Sequence, residues 1–283
     1  MPRRRLIYAM TWRLPLIIWQ AAFFLVPLGF MVVMTFWAVR NYRMEPDFVL
    51  ANWAKMFNRG YFWDAYWLTL GRASLAAAIA SLVAFPASYA LAFKVSPTAR
   101  RWAIFFMIIP FFTSYLVRAY AWQVILAEQG VINAGLSHLG LGPYTMLNSG
   151  FGSMVGYLTL TLTLPLVVIL QTFSLASVDR NLIEAAWNLG CSRWRTIFRV
   201  IIPSAKVGLI LGAVFCFILS FGDFVAPYYL GGSKPPTLSI LIIDTTKSGQ
   251  QWPRAAVVAV TMIVTLLVVA FAAVSAAYRK PKQ

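Results

Sequence analysis

The sequence is poor in charge, and poorest in acids. Only 11% of its 283 residues are charged, with eight Asp+Glu against 24 Lys+Arg and a formal net charge of +16. Soluble domains carry about a quarter charged residues, so a water-soluble fold of this composition would expose large apolar patches. There is one histidine, His138, and the eight acids are scattered. Neither a metal centre nor an acid–base pair can be assembled from such a set, which counts against an integral-membrane enzyme. No catalytic residue, metal or resident cofactor is expected. The two cysteines, Cys191 and Cys216, lack metal-ligand spacing, and Cys216 falls inside an apolar run, so no disulfide is expected. No Gly-x-x-x-x-Gly-Lys-Ser/Thr occurs, so there is no P-loop for ATP. The glycines at Gly150, Gly152 and Gly156 match a dinucleotide pattern only superficially, because they open an apolar stretch with no strand before it. Repeats, linkers and low-complexity tracts are also lacking, which implies one domain over residues 1–283.

What the chain has is hydrophobic surface: 60% of residues, with a mean hydropathy of +0.73. A helix needs roughly 20 apolar residues to cross a bilayer. Six stretches qualify, at about 14–39, 66–93, 102–126, 153–175, 207–230 and 255–278. Pro27, Pro86, Pro110 and Pro165 fall inside them, as membrane helices tolerate. Small residues for close packing gather at Ala76, Ala77, Ala78, Ala80 and Ser81 and again at Ala272, Ala273, Ser275 and Ala276. The first stretch follows Arg3, Arg4, Arg5 and Arg13, but it is too long for a signal peptide and no small-residue cleavage site follows. It reads as a retained span.

Lys and Arg collect on the cytoplasmic side of a membrane protein. With both termini inside, that side holds Arg3, Arg4, Arg5 and Arg13, then Lys94, Arg100 and Arg101, then Arg180, Arg193, Arg195, Arg199 and Lys206, then Arg279, Lys280 and Lys282. The outer loops hold fewer cations, and they carry the acids Glu45, Asp47, Asp64, Glu128 and Asp244. The basic excess therefore fits a multi-pass inner-membrane protein. It does not fit a nucleic-acid binder, because the cations sit in short breaks between apolar runs. The outer segment 41–64 is rich in aromatics, fit for an interfacial helix with headgroup anchors. His138, in a glycine-punctuated loop, has no partner residues and reads as structural.

The loop 176–206 is patterned. Asp179 is placed to cap a short helix that Gly190 would end, and Leu182, Ala185, Ala186 and Leu189 recur on one apolar face. Ser192 can cap a second helix bearing Trp194, Ile197, Phe198 and Ile201, with Arg193, Arg195 and Arg199 on its other side and Pro203 at its end. On pattern alone this is an amphipathic hairpin lying against anionic headgroups or a docking element.

The string Glu184-Ala185-Ala186 with Gly190, followed by Val200-Ile201-Ile202-Pro203, resembles the cytoplasmic signature of bacterial ATP-binding-cassette importer permeases. Val200 and Ile202 depart mildly from its usual Ile and Leu. The resemblance implies an all-α integral membrane protein of six transmembrane helices, the type I importer permease architecture, with a cytoplasmic coupling-helix loop. It implies that Gly190 allows a sharp turn, Ala185 and Ala186 a close approach, and Glu184 a polar contact with an ATPase. The implied partners are two ATPase subunits that bind ATP and Mg, a second permease of similar length, a periplasmic or extracellular binding protein and membrane lipid, with no nucleic acid. A stand-alone secondary transporter or channel would leave this loop without a purpose.

Residues 110–122, 129–133 and 221–227 are similar to the spermidine/putrescine branch of these permeases. Related members handle amino acids, opines and phosphonates. Asp223 falls in the fifth apolar stretch, where an ionisable side chain is a functional candidate. It reads either as a path-facing carboxylate for a cation or as the partner of Arg118 or Arg72. Tyr115, Tyr120, Trp122 and Tyr228 read either as added cation–π surface or as aromatic membrane anchors.

Overall fold

The computed structural model describes residues 2–278, with side chains from residue 11 onward. The side chains of Arg3, Arg4 and Arg5, and all of Arg279, Lys280 and Lys282, lie outside the described residues. Helix α1 (Pro2–Gln20) passes through a π turn at Ala21–Leu25 into α2 (Val26–Met34). Strands β1 (Ala38–Arg40) and β2 (Arg43–Glu45) follow, then α3 (Ala51–Phe57) and α4 (Gly60–Phe93). Next come α5 (Pro97–Ile108), a 3₁₀ turn at Ile109–Phe112, α6 (Tyr115–Leu126) and α7 (Val131–Ser137). They lead to α8 (Gly150–Thr159), α9 (Thr163–Ala176), α10 (Arg180–Asn188) and α11 (Arg193–Thr196). A π turn at Ile197–Ile201 joins α11 to α12 (Ile202–Phe221); another at Ala226–Leu230 precedes α13 (Leu238–Lys247) and α14 (Trp252–Tyr278).

Among the described residues, four helices are long and apolar enough to span a membrane unbroken: Thr11–Met34, Gly60–Phe93, Arg193–Phe221 and Trp252–Tyr278. Two further candidates are bent pairs, Pro97–Phe112 with Tyr115–Ser137 at 93° and Gly150–Thr159 with Thr163–Ala176 at 47°. The span count is therefore four to six. The stretches expected at 102–126 and 153–175 contain these breaks, at extended Thr113 and at left-handed Leu162 (φ 55°). Hydropathy does not register such reversals of backbone direction. The first span ends at Met34 and not near residue 39, because the chain turns there into the hairpin. The fifth begins at Arg193, earlier than expected, and helix stops at Phe221.

Prolines explain two of the three π turns. A proline ring clashes with the carbonyl four residues before it. Phe23 and Arg199 hold that place relative to Pro27 and Pro203, and each lies inside a widened turn. Pro203 therefore does not end a helix, as the sequence reading had it; the π turn lets α11 and α12 run on as one rod.

The chain falls into two compact units, Met1–Trp63 with Leu241–Ile263 and Asp64–Ile240 with Val264–Gln283. In the first, the two-residue hairpin turn places Asn41 and Tyr42 at φ 48° and 60°, as a primed turn requires. The Asn52 amide donates to the carbonyls of Thr35 (2.9 Å) and Trp37 (2.8 Å), holding α3, the expected interfacial helix, against the end of α2. Tyr42 and Phe48 stand exposed, as anchors would, while Phe62 is fully buried.

In the second unit, α4 buries Ala76, Ala77 and Ala80 of the expected set together with Ala73 and Ala84, while Ala78 is exposed and Ser81 half-buried. α12 lies along α9, where Gly208 meets Ser174 and Gly212 meets Val167. The Ser174 hydroxyl donates to the Ala205 carbonyl at 2.9 Å. In the last span Ala272, Ser275 and Ala276 are exposed within this chain, Ala273 is half-buried and Ala277 is buried.

Candidate functional site

The loop around Glu184 is built as its residues dictate. The Asp179 carboxylate accepts from the Asn181 N–H (2.9 Å) and caps α10. At the other end Gly190 takes φ 78°. Its N–H donates to the Trp187 carbonyl (2.9 Å) and that of Cys191 to the Ala186 carbonyl (3.0 Å), the paired closure of a Schellman cap. The Ser192 hydroxyl then accepts from the Arg195 N–H and starts the next helix. A left-handed residue between two caps sets the two helices at a sharp corner.

The apolar face expected on α10 divides in two. Ala186 is buried, and so is Ile183, outside the expected stripe; Ile183 packs with Ala92, Leu175, Val178, Ile201 and Ala205. Leu182, Ala185 and Leu189 point outward with Glu184 and Trp187, and Leu189 is 85% exposed. Burial of Ile183 and Ala186 within this chain seats the helix. On the next helix, Trp194 and Phe198 stack at 6.3 Å between centroids and are also exposed. Trp187, 52% exposed, joins this outer surface, and its signal in the sequence is a large aromatic on a short helix outside the apolar stripe.

The second candidate site gathers α6, α8 and the turn at Ala226–Leu230. Asp223 is buried. Its carboxylate accepts from the Tyr115 hydroxyl (2.7 Å), the Val225 N–H (2.9 Å) and the Ala226 N–H (3.2 Å). It therefore caps the turn that carries Tyr228. Neither arginine pairs with it: among the described residues the ion pairs are Arg40 with Glu45 and with Asp47. Arg118 bonds instead to backbone, donating to the carbonyls of Pro110, Thr113 (3.2 Å) and Leu160 (2.8 Å) and to the Thr113 hydroxyl (2.9 Å). Those carbonyls lie at the breaks of both bent spans. Its guanidinium also sits 5.8 Å over the Tyr115 ring. Tyr115, Arg118 and Asp223 are thus brought together, and Tyr228, partly exposed, stands against Phe224 and Tyr229 at about 5 Å.

The glycines discounted as a nucleotide motif have a different use. Gly152 faces the Leu230 carbonyl and Gly156 the Ala226 methyl, so closely that a side chain on either would collide. They let α8 lie directly on the turn that Asp223 caps.

Long apolar helices, two of them broken and stapled by backbone-directed side chains, define an all-α, multi-pass membrane permease. The chain belongs to the family described as Binding-protein-dependent transport system inner membrane component, whose pattern its residues 84–281 match. It is 27% identical over 224 residues to the spermidine/putrescine transport system permease protein PotB of Haemophilus influenzae, covering 78% of this chain and 77% of that one. To the inner membrane ABC transporter permease protein YdcU of Escherichia coli it is 29% identical over 201 residues, 66% of this chain and 63% of that one. Among solved structures it resembles a chain of a bacterial ABC transporter that imports the acidic polysaccharide alginate. The TM-score is 0.75 at 20% identity, over 99% of this chain and 98% of that one. A second alginate transporter structure, in complex with a periplasmic protein bound to an alginate pentasaccharide, matches with a TM-score of 0.68 at 19% identity, over 96% and 93%. The chain is a transport component of the inner membrane.

Proposed function

We propose that this chain forms, as one permease domain, half of the translocation path of an ATP-binding-cassette importer for a polyamine of the spermidine or putrescine type. Its α10 is the element that receives ATP-driven motion. One observation carries the coupling role: α10 is seated by Ile183 and Ala186 yet leaves Leu182, Ala185 and Leu189 uncovered around a fixed corner at Gly190. A rigid apolar knob of this kind needs a partner groove. Two ATPase subunits would supply it and bind the ATP and Mg, a distinct second permease would complete the path, and a binding protein would deliver the solute. Both termini then lie in the cytoplasm with α10. Ala185→Arg places a long cation on the outward face without touching the inner one. It should cut co-purification of the ATPase at least about tenfold while leaving the permease's melting temperature within a degree or so. Undiminished co-purification would sink the docking role.

Support for a polyamine comes from the named function of the PotB relatives and from the chemistry around Asp223. The Asp223 carboxylate offers charge and is held by the Tyr115 hydroxyl, while the Tyr115 and Tyr228 rings offer cation–π surface to an amine. Asp223→Asn removes the charge but keeps most of the shape, and should raise the KM for polyamine by roughly tenfold or more, as loss of a hydrogen-bonded charge contact does. A KM equal to the parent's would exclude Asp223 from the path.

A further inference from the structure

Beside α10 lies a cavity of about 210 Å³ lined by three cations to which the coupling role gives no task. Lys94 enters it from the end of α4, Arg180 from the start of α10 and Arg193 from the start of α11, against a single carboxylate, Glu184. None of the four forms an ion pair among the described residues, where only Arg40 does so. Three cations around one small space repel each other, and screening over roughly 10 Å relieves this only in part. An anion relieves it directly. The lining also includes the apolar side chains of Phe93, Ile183, Trp187 and Ile201 and the Tyr89 ring. A free anion has no use for such walls, but a headgroup that continues into glycerol and acyl chain does. The cavity also sits at the Phe93 end of a 34-residue apolar helix, where hydrocarbon gives way to headgroups. On the cytoplasmic leaflet those headgroups are the anionic ones, and basic pockets between spans at that level are suited to them.

We propose that this cavity is a phosphate site, filled by the headgroup of an anionic phospholipid that wedges between α4 and the seated face of α10. The placement rests on the reading of this loop as cytoplasmic, whereas the site itself does not require an ATPase. The experiment uses the full chain co-expressed with its partner subunits, purified in detergent and examined by native mass spectrometry. Micelles carry phosphatidylglycerol in one arm and phosphatidylcholine in the other. The parent should hold one phosphatidylglycerol per chain that Arg180→Gln/Arg193→Gln lacks, and phosphatidylcholine should not replace it. The single variant Lys94→Gln, at the exposed end of α4, should weaken retention roughly fivefold, the effect of one basic residue near an anionic surface. It keeps the test open should the double variant misfold. Arg101→Gln, exposed outside the cavity, should retain lipid as the parent does. A third arm titrates inorganic phosphate into the phosphatidylglycerol micelles. Loss of the lipid only at high phosphate supports the site, while phosphate bound in a parent that retains no lipid to begin with overturns the lipid as its source. Equal lipid retention by the parent and by both cavity variants overturns the proposal. ATPase co-purification in the same samples separates this outcome from a failure of the docking role.

Discussion

Arg118 is a cation within an apolar run, and it is stabilised by carbonyls and not by an acid. Its guanidinium reaches Pro110 and Thr113 at one break and Leu160 at the other, with the Thr113 hydroxyl between. Non-helical backbone at membrane depth must be satisfied within the protein, because lipid offers no hydrogen bonds. Threonines do the same work nearby: Thr161 and Thr163 both donate to the Tyr157 carbonyl. Arg118→Leu would strand the carbonyls of Thr113 and Leu160, whereas that of Pro110 keeps the Thr113 N–H and hydroxyl as donors. A carbonyl buried without a donor costs about 1–3 kcal/mol, so a loss of that order is expected, read as a fall in melting temperature in detergent. Arg118→Lys, which can reach fewer acceptors, should fall between. A leucine variant that melts with the parent would show that these bonds carry no net stability. The ion pair with Asp223 offered by the sequence reading was the simplest partner for both charges. What replaced it is backbone, which no pattern of side chains reveals.

At the level of elements, the contact between α8 and the Ala226–Leu230 turn holds the Asp223 site together. Gly152 and Gly156 are one helical turn apart on the face that meets the turn, and Ser153 beside them nests against Gly231. Spacing of this kind lets two backbones approach within a membrane. A methyl at Gly156 would strike that of Ala226. Gly156→Ala should therefore destabilise by roughly 1–3 kcal/mol, as overpacking does. Gly156→Ala with Ala226→Gly should recover most of that loss. Additive effects in the double variant, measured by unfolding in a detergent titration, would mean that the two methyls do not meet. This contact was hidden in the sequence because glycine spacing alone does not distinguish a phosphate loop from a packing face. The caps at Asp179, Gly190 and Ser192 were legible, since capping depends on residues within one turn of each other. The apolar spans were legible too, but their breaks were not. Thr113 and Leu162 carry no side-chain signal for a reversal, and hydropathy averages across them. Division of the α10 face was equally invisible, because periodicity gives a stripe and only the tertiary neighbours decide which half of it is covered.

For the whole molecule, orientation and docking meet at one native thiol. Cys191 follows Gly190 at the corner beyond α10 and is partly accessible, whereas Cys216 is fully buried. If the loop is cytoplasmic, a membrane-impermeant maleimide should leave Cys191 unlabelled in intact cells or right-side-out vesicles. It should label Cys191 in inside-out vesicles, with Cys216 silent in both. The corner also sits beside Leu189, on the surface proposed to enter an ATPase groove. Inside-out vesicles stripped of ATPase should therefore label several-fold faster than vesicles holding the assembled complex, and re-adding ATPase should restore protection. Cys191→Ser, exchanging one small side chain for another at a position that is not fully buried, should abolish the label and leave assembly intact. Labelling from the outer face would reverse the topology and remove α10 from reach of ATP-driven motion. Labelling only from the inside, but indifferent to ATPase, would keep the topology and move the docking surface away from α10. The exposed stack of Trp194 and Phe198 on the next helix would then be the place to look.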